Sequence, residues 1–239
     1  MKKKPLWLVL GGVVIIAVFA VAISLILSSK KNEGNLNSNQ QLDLKGVWLV
    51  YQYLDNKIND EFMVFTEDTV TDYRGGKQEP FASSSYTFAD GKLSMPDISK
   101  EFTVRIISDN CVFLVEPDTR EWKLARVASS LDSIPEVTAS SLAGEYDVVC
   151  VVGEKRNNEV MVFDETSLTD YRDGKEYLKC DYSLDESGRL LHAIDIGQDF
   201  LVYLNSNSLI LIEDQTRYVW ELKKDNSRPP GSFSISKLT

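Results

Sequence analysis

The spacing of apolar and polar positions divides the chain into one long apolar stretch and a body of short runs. From Leu6 to Leu27 there are 22 residues without a charge, and as a helix rising 1.5 Å per residue they would reach about 33 Å, enough to cross a hydrocarbon core of about 30 Å. Past residue 43 the pattern changes. Short β-branched and aromatic runs alternate with turn dipeptides about every ten residues, and no long amphipathic helix appears. The body is therefore expected to be all-β.

The body also repeats itself at a spacing of 98 residues. When Phe62 to Lys77 is laid over Val160 to Lys175, ten of the 16 positions are identical, among them Thr71/Thr169, Asp72/Asp170, Tyr73/Tyr171, Arg74/Arg172 and Gly76/Gly174. The same offset pairs Gly46-Val47-Trp48 with Gly144-Glu145-Tyr146, Phe102 with Phe200 and Trp122 with Trp220. Two copies of one unit follow, at 44–127 and 142–225. Around them lie a cytoplasmic tip and transmembrane anchor (1–28), a polar stalk (29–43), a linker (128–141) and a Ser-, Pro- and Gly-rich tail (226–239). Each copy carries its own set of core residues and is expected to fold alone.

About eight strands are expected per copy. Arg74-Gly75-Gly76-Lys77 and Arg172-Asp173-Gly174-Lys175 read as hairpin turns, with Asp90-Gly91 and Ser187-Gly188 marking another. Matched positions give the strand faces. Trp48, Val50 and Leu54 match Tyr146, Val148 and Val152 on the inner face of the first strand, and Trp122 and Leu124 match Trp220 and Leu222 on the last. Trp48, Trp122, Tyr146 and Trp220 are the expected core plugs, and with Phe102 and Phe200 these rings are expected to fill the interiors and leave no deep cavity. Consecutive strands buried on one face imply an antiparallel meander closing into a small barrel.

Gly46-x-Trp48 on the first strand, with the basic Arg126 on the last, resembles the lipocalin-like (calycin) barrels. In that group the Trp plugs the closed end and the Arg packs across it. The second copy departs from the pattern, carrying Tyr146 and Lys224 at these places. The resemblance extends over each copy and implies tandem short barrels of bacterial membrane-anchored or secreted proteins, with binding rather than catalysis as their role.

Charge bears on location and partners. Residues 1–31 hold five Lys and no acid, which leaves 21 basic against 36 acidic residues in the remainder. A body this acidic, without a Lys/Arg cluster, argues against nucleic acid as a partner. A cleavable signal peptide competes with the anchor, since Lys2 to Lys4 precede the apolar run and Ala20-Val21-Ala22 offers a cleavage site. The run nevertheless continues to Leu27, longer than a typical signal core. Lys2, Lys3 and Lys4 against Lys30 and Lys31 favour a cytoplasmic N-terminus and an extracellular body. No Asn is followed two places later by Ser or Thr, in keeping with a bacterial source.

Candidate chemistry is sparse. No phosphate-loop, dinucleotide or zinc spacing occurs, so no cofactor or metal is expected. The single imidazole, His192, is read as a packed or edge residue at the position of Met95. Cys111 reads as a small core residue; Cys150 and Cys180 are either free or bridged to each other. The repeated Thr-Asp-Tyr-Arg hairpins, Thr71 to Arg74 and Thr169 to Arg172 with Gly76 and Gly174, read as structural, with a polar-ligand grip as the alternative. Tyr51 and Tyr53, expected on the outer face of the first strand, are the candidate partner surface or a seam between the copies. The expected function is a membrane-anchored binding or interaction protein that takes a small ligand or an envelope protein. A structural spacer in an envelope complex is the alternative, and a surface enzyme is disfavoured for want of a nucleophile with a base in reach.

Overall fold

The computed structural model describes residues 42–76 and 79–226. The expected membrane span, nearly all of the stalk and the tail from 227 lie outside the described residues. No helix among the described residues is long and apolar enough to cross a membrane, which says nothing of strands. The first copy contains β1 (Gly46–Tyr53), β2 (Asn56–Lys57), β3 (Phe62–Phe65), β4 (Thr69–Tyr73), β5 (Ala82–Ser85), β6 (Thr87–Ala89), β7 (Lys92–Met95), β8 (Lys100–Ser108), β9 (Cys111–Val115) and β10 (Glu121–Ala128). The second contains β11 (Gly144–Val151), β12 (Glu154–Lys155), β13 (Glu159–Phe163), β14 (Ser167–Arg172), β15 (Lys175–Leu184), β16 (Leu190–Ala193), β17 (Gln198–Asn205), β18 (Ser208–Glu213) and β19 (Val219–Lys224).

Both sheets are antiparallel and barrel-like. In the second copy β11 pairs with both β13 and β19, so eight strands close on themselves while β12 pairs only with β11. In the first copy the hydrogen-bonded path runs β5-β4-β3-β1-β10-β9-β8-β7-β6. Its two ends, β5 and β6, follow one another along the chain with only Tyr86 between them, so this barrel is nearly closed.

One end of each barrel is plugged as the duplicated Gly-x-aromatic predicts. Trp48 is fully buried and its Nε1 donates to Leu44 O at 2.6 Å. The Arg126 guanidinium lies 4.6 Å from the indole centroid and also donates to Asp43 O. In the second copy Tyr146 is equally buried under Lys224, whose Nζ donates to Ala143 O at 2.9 Å. Gly46 is required by this crossing: its φ is +121°, and a Cβ there would sit 2.9 Å from the carbonyl oxygen of Ala128.

Three expectations about boundaries and faces are corrected. Leu42, assigned to the stalk, is buried in the first core beside Leu44. The linker at 128–141 is anchored by Val137, which is buried in the second core beside Leu142, the first residue of the second copy. It contains a short helix, α1 (Ala139–Leu142), started by a Thr138/Ser141 capping box. Face parity also fails beyond Val50. A β-bulge between Val50 and Gln52 leaves Tyr51 outside the ladder, and the second copy repeats it between Val148 and Cys150. After the bulge Tyr53 faces inward opposite Trp122, while Leu54 and Val152 are exposed instead of buried.

The two barrels share a core. Val47, Leu49, Tyr51, Cys111, Ala125 and Val127 on the outer face of the first pack with Leu201, Tyr203, Ile210, Ile212 and Val219 of the second. Tyr51 is only 2% exposed. It belongs to the seam and is not a free partner surface. Arg217 of the second copy reaches across, its Nη2 donating to Tyr51 O at 2.6 Å, Ile58 O at 2.8 Å and Asn59 Oδ1 at 2.8 Å. Ser108 and Asn110 donate to the buried Glu221 from the other side.

Cys111, Cys150 and Cys180 are all buried and free, so the Cys150–Cys180 bridge is not formed. Burial pushes the Cys111 thiol up to about 12, although a hydrogen bond with Tyr51 opposes the rise. His192 falls one place from its expected position. Its register partner is Asp199, with Nδ1 at 2.8 Å from Asp199 Oδ1, and Ala193 is the buried residue beside it.

Candidate functional site: the open end of the first barrel

Tyr53 lies opposite Trp122 at the other end of β1 from the Trp48 plug. Five residues at about 3.4 Å each separate the two ends by about 17 Å. Trp122 and its counterpart Trp220 are thus not plugs of the closed end. Each is half-buried, and each indole donates to a carboxylate: Trp122 Nε1 to Glu116 Oε1 at 2.8 Å, Trp220 Nε1 to Glu213 Oε1 at 2.9 Å.

Behind Trp122 the first barrel encloses a cavity of about 560 Å³, inside the range of roughly 300–1,000 Å³ typical of small-molecule sites. The expectation of a filled interior is therefore wrong for this copy. Met63, Val70, Met95 and Phe102 form its apolar floor, and Tyr53, Phe81, Ile98 and Trp122 its rim. Small side chains open this space. By strand register Ala82 and Ser84 stand where Leu178 and Cys180 stand in the second copy.

The entrance arises from a difference between the two hairpins. In the second copy Arg172 pairs directly with Lys175 around Asp173-Gly174, both at positive φ, forming the expected tight primed turn. In the first copy β5 begins only at Ala82, two residues after Pro80, which lacks the N–H a ladder needs. Gly76 N donates to Asp60 O, and the expected hairpin at Arg74–Lys77 closes on Lys77, which lies outside the described residues.

The repeated Thr-Asp-Tyr-Arg motif lies on the cavity wall. Arg74 Nε donates to Asp72 Oδ2 at 2.7 Å and lies 3.5 Å from Glu61 Oε1. Phe81 covers the guanidinium at 4.1 Å from its ring centroid, and the Trp122 ring lies at 5.8 Å. The second copy repeats the triad, with Arg172 bound to Asp170 at 2.8 Å and to Glu159 at 3.2 Å, under the ring of Tyr177 at 3.7 Å. Thr71 Oγ1 shares a hydrogen bond with Ser83 Oγ at 3.2 Å, and Thr169 is buried. Tyr73 faces the outside opposite Phe62, and Tyr171 is half-buried opposite Val160, so neither phenol joins its triad. Gly76 and Gly174 serve the turns alone. Glu61 and Glu159 are the members that motif reading misses. They too are separated by 98 residues, one place ahead of the aligned block, and that identity was the available signal.

Burial shapes the electrostatics of the wall. It pushes the Glu61 carboxyl up to about 7, with Asp72 adding to the rise and Arg74 opposing it. Burial raises Asp72 against the pull of Arg74, and in the second copy lifts Asp170 to about 6. Glu116 behaves oppositely. Burial alone would raise it, but hydrogen bonds from Lys100 and Trp122, with the charges of Lys100 and Arg120, hold it below its ordinary value. Among the described residues no group of three His, Cys, Asp or Glu is placed to hold a metal ion.

No family model matches the chain, and no curated protein matches it. Among solved structures, an uncharacterized protein from Bacteroides eggerthii is similar over 35% of this chain and 99% of its own, at 16% identity and a TM-score of 0.29. A putative DNA polymerase III beta subunit from Eubacterium rectale is similar over 83% of this chain and 61% of its own, at 11% identity and a TM-score of 0.19. Scores this low establish no common fold or function. The class that the geometry itself defines is a tandem of antiparallel β-barrels fused through a shared seam.

Proposed function

We propose that this chain is a binding protein of lipocalin-like type, held at the outside of a bacterial membrane by residues 6–27, with its ligand in the first barrel. The observation that carries the binding reading is the cavity of about 560 Å³, rimmed by Tyr53, Phe81 and Trp122, in a barrel whose other end is plugged by Trp48. An apolar floor with a few convergent polar groups near its mouth is the usual composition of a small-ligand site. Arg126 across Trp48 supports the lipocalin-like assignment, as does the meander order of the strands. The wall groups are read as holding and orienting the ligand, since the residues lining the cavity include neither His nor Cys.

A neutral fluorescent probe, N-phenylnaphthylamine, tests the cavity. It should bind the full chain one to one, quench Trp122 and raise the melting temperature, as a ligand of the native state alone must. Ala82→Phe, which fills the cavity from β5, should abolish binding without unfolding the protein. Equal binding to parent and variant would place the probe elsewhere and remove the reading. Membrane attachment is tested separately: protease added to intact cells should remove the body, and a protected body would overturn the assigned orientation.

A further inference from the structure

The two copies repeat the Glu-Asp-Arg triad but differ in the charge beside it. In the second barrel Arg156, whose N–H donates to Val149 O, lies 3.6 Å from Glu154 and 4.0 Å from Glu159, so a second guanidinium, shared with Glu154, stands beside that triad. The position 98 residues earlier is Ile58, held in the same backbone pattern by its N–H on Tyr51 O, and its side chain lines the cavity. The first triad thus has two carboxylates and one guanidinium. Glu61 is 7% exposed and Asp72 8%. Glu61 Oε1 and Asp72 Oδ1 accept no hydrogen bond, and both residues border the cavity.

The other charged groups at the mouth are already matched. Lys100 and Arg120 each meet Glu116 at 2.8 Å, and Arg120 also meets Asp118 at 2.8 Å. The hydrogen-bonding capacity left over at the triad is that of an acceptor, and the missing charge is positive. Buried carboxylate oxygens without donors are costly, which a bound donor relieves.

Resting on the reading of the cavity as the ligand site, we propose that the first barrel takes an organic cation with an apolar body. Its ammonium or guanidinium head sits against Glu61 and Asp72, where the second barrel places its own Arg156. The apolar part lies on Met63, Met95 and Phe102, and the cation shares the rim with aromatic faces that favour it.

Three probes of equal chain length separate charge from apolarity: octylammonium, octanoate and octanol, titrated into the full chain by calorimetry at pH 8.5, where Glu61 has lost its proton. Octylammonium should bind at least tenfold more tightly than either of the others, and Glu61→Gln should weaken it at least tenfold while leaving octanol unchanged. Ile58→Arg, which supplies the missing cation from within, should abolish octylammonium binding and leave the melting temperature equal or higher. Octanoate or octanol binding as well as octylammonium would overturn the charge inference while leaving the cavity as a site. Octylammonium binding undiminished in both variants would overturn the placement of its head. If none of the three probes binds, the inference falls, and the cavity reading is judged by the naphthylamine experiment alone.

Discussion

At the scale of single residues, the carboxylates of the triads make stability depend on pH in a definite direction. Folded, Glu61 keeps its proton up to about pH 7, whereas the free carboxyl releases it near 4.5. Between those values the native state binds more protons than the unfolded one, so this contribution is fully present below 4.5 and is lost as pH rises through 7. Each unit of difference is worth about 1.4 kcal/mol. Glu61→Gln should therefore gain stability relative to the parent between about pH 5 and about pH 8, on the order of 2 kcal/mol by urea unfolding. An identical difference at both pH values would mean that Glu61 is ionised throughout.

At the scale of the element, β1 performs two tasks because a bulge divides it. Before Tyr51 its apolar residues serve the first core and the seam alternately; after it Tyr53 turns to the cavity and Gln52 outward, where Lys123 Nζ donates to its amide oxygen at 3.1 Å. The carbonyl of Tyr51, freed from the ladder, receives Arg217 Nε at 3.0 Å and Nη2 at 2.6 Å. Burial lowers the pKa of this guanidinium, whose side chain is almost wholly enclosed. Its removal would take the guanidinium's donors from Ile58 O and Asn59 Oδ1 and leave Tyr51 O with the Ile58 N–H alone. Arg217→Ala is expected to cost about 2–4 kcal/mol, and Arg217→Lys to restore less than half, because a single ammonium cannot reproduce the planar fork. Full restoration by Lys, measured in the same urea titration, would show that charge alone matters there.

At the scale of the molecule, duplication has not produced two independent beads. The seam uses β1, β9 and β10 of one barrel and β17, β18 and β19 of the other; β18 and β19 are the counterparts of β9 and β10, but β17, the counterpart of β8, stands where β1 does, so the two surfaces are offset by one strand. The consequence is visible residue by residue. Val47 and Leu49 face the seam, whereas Glu145 and Asp147 hold their places in the second copy; Tyr203 and Leu201 face it from β17, whereas Arg105 and Thr103 hold theirs on β8. Separate fragments covering 42–128 and 141–226 would each expose an apolar face. They should self-associate or unfold at lower temperature, while the intact pair melts in one transition. Two fragments that are monomeric and as stable as the whole would show that the seam contributes little.

The 98-residue identity, the period-two alternation and the Gly-x-aromatic crossing were sufficient, read as sequence, for two antiparallel barrels with Trp48 and Tyr146 buried at their closed ends. These features depend on local backbone geometry and on which face of a strand is apolar, and both are written in neighbouring residues. Tyr51 pointed to a seam, but the doubly apolar strands GVWLVYQY and SLILIE are shown to form it only by their packing. The candidate site was legible in part, through Asp72 and Arg74, while Glu61 joins them from just before β3 and Lys100 from the start of β8. The bulge that turns Tyr53 inward depends on cross-strand register, which no single strand specifies. The cavity depends on what fills the space between strands far apart in the chain. A list of large aromatic residues predicts a full interior, but Ala82 and Ser84, set opposite them by pairing with Asp72 and Val70, leave it open.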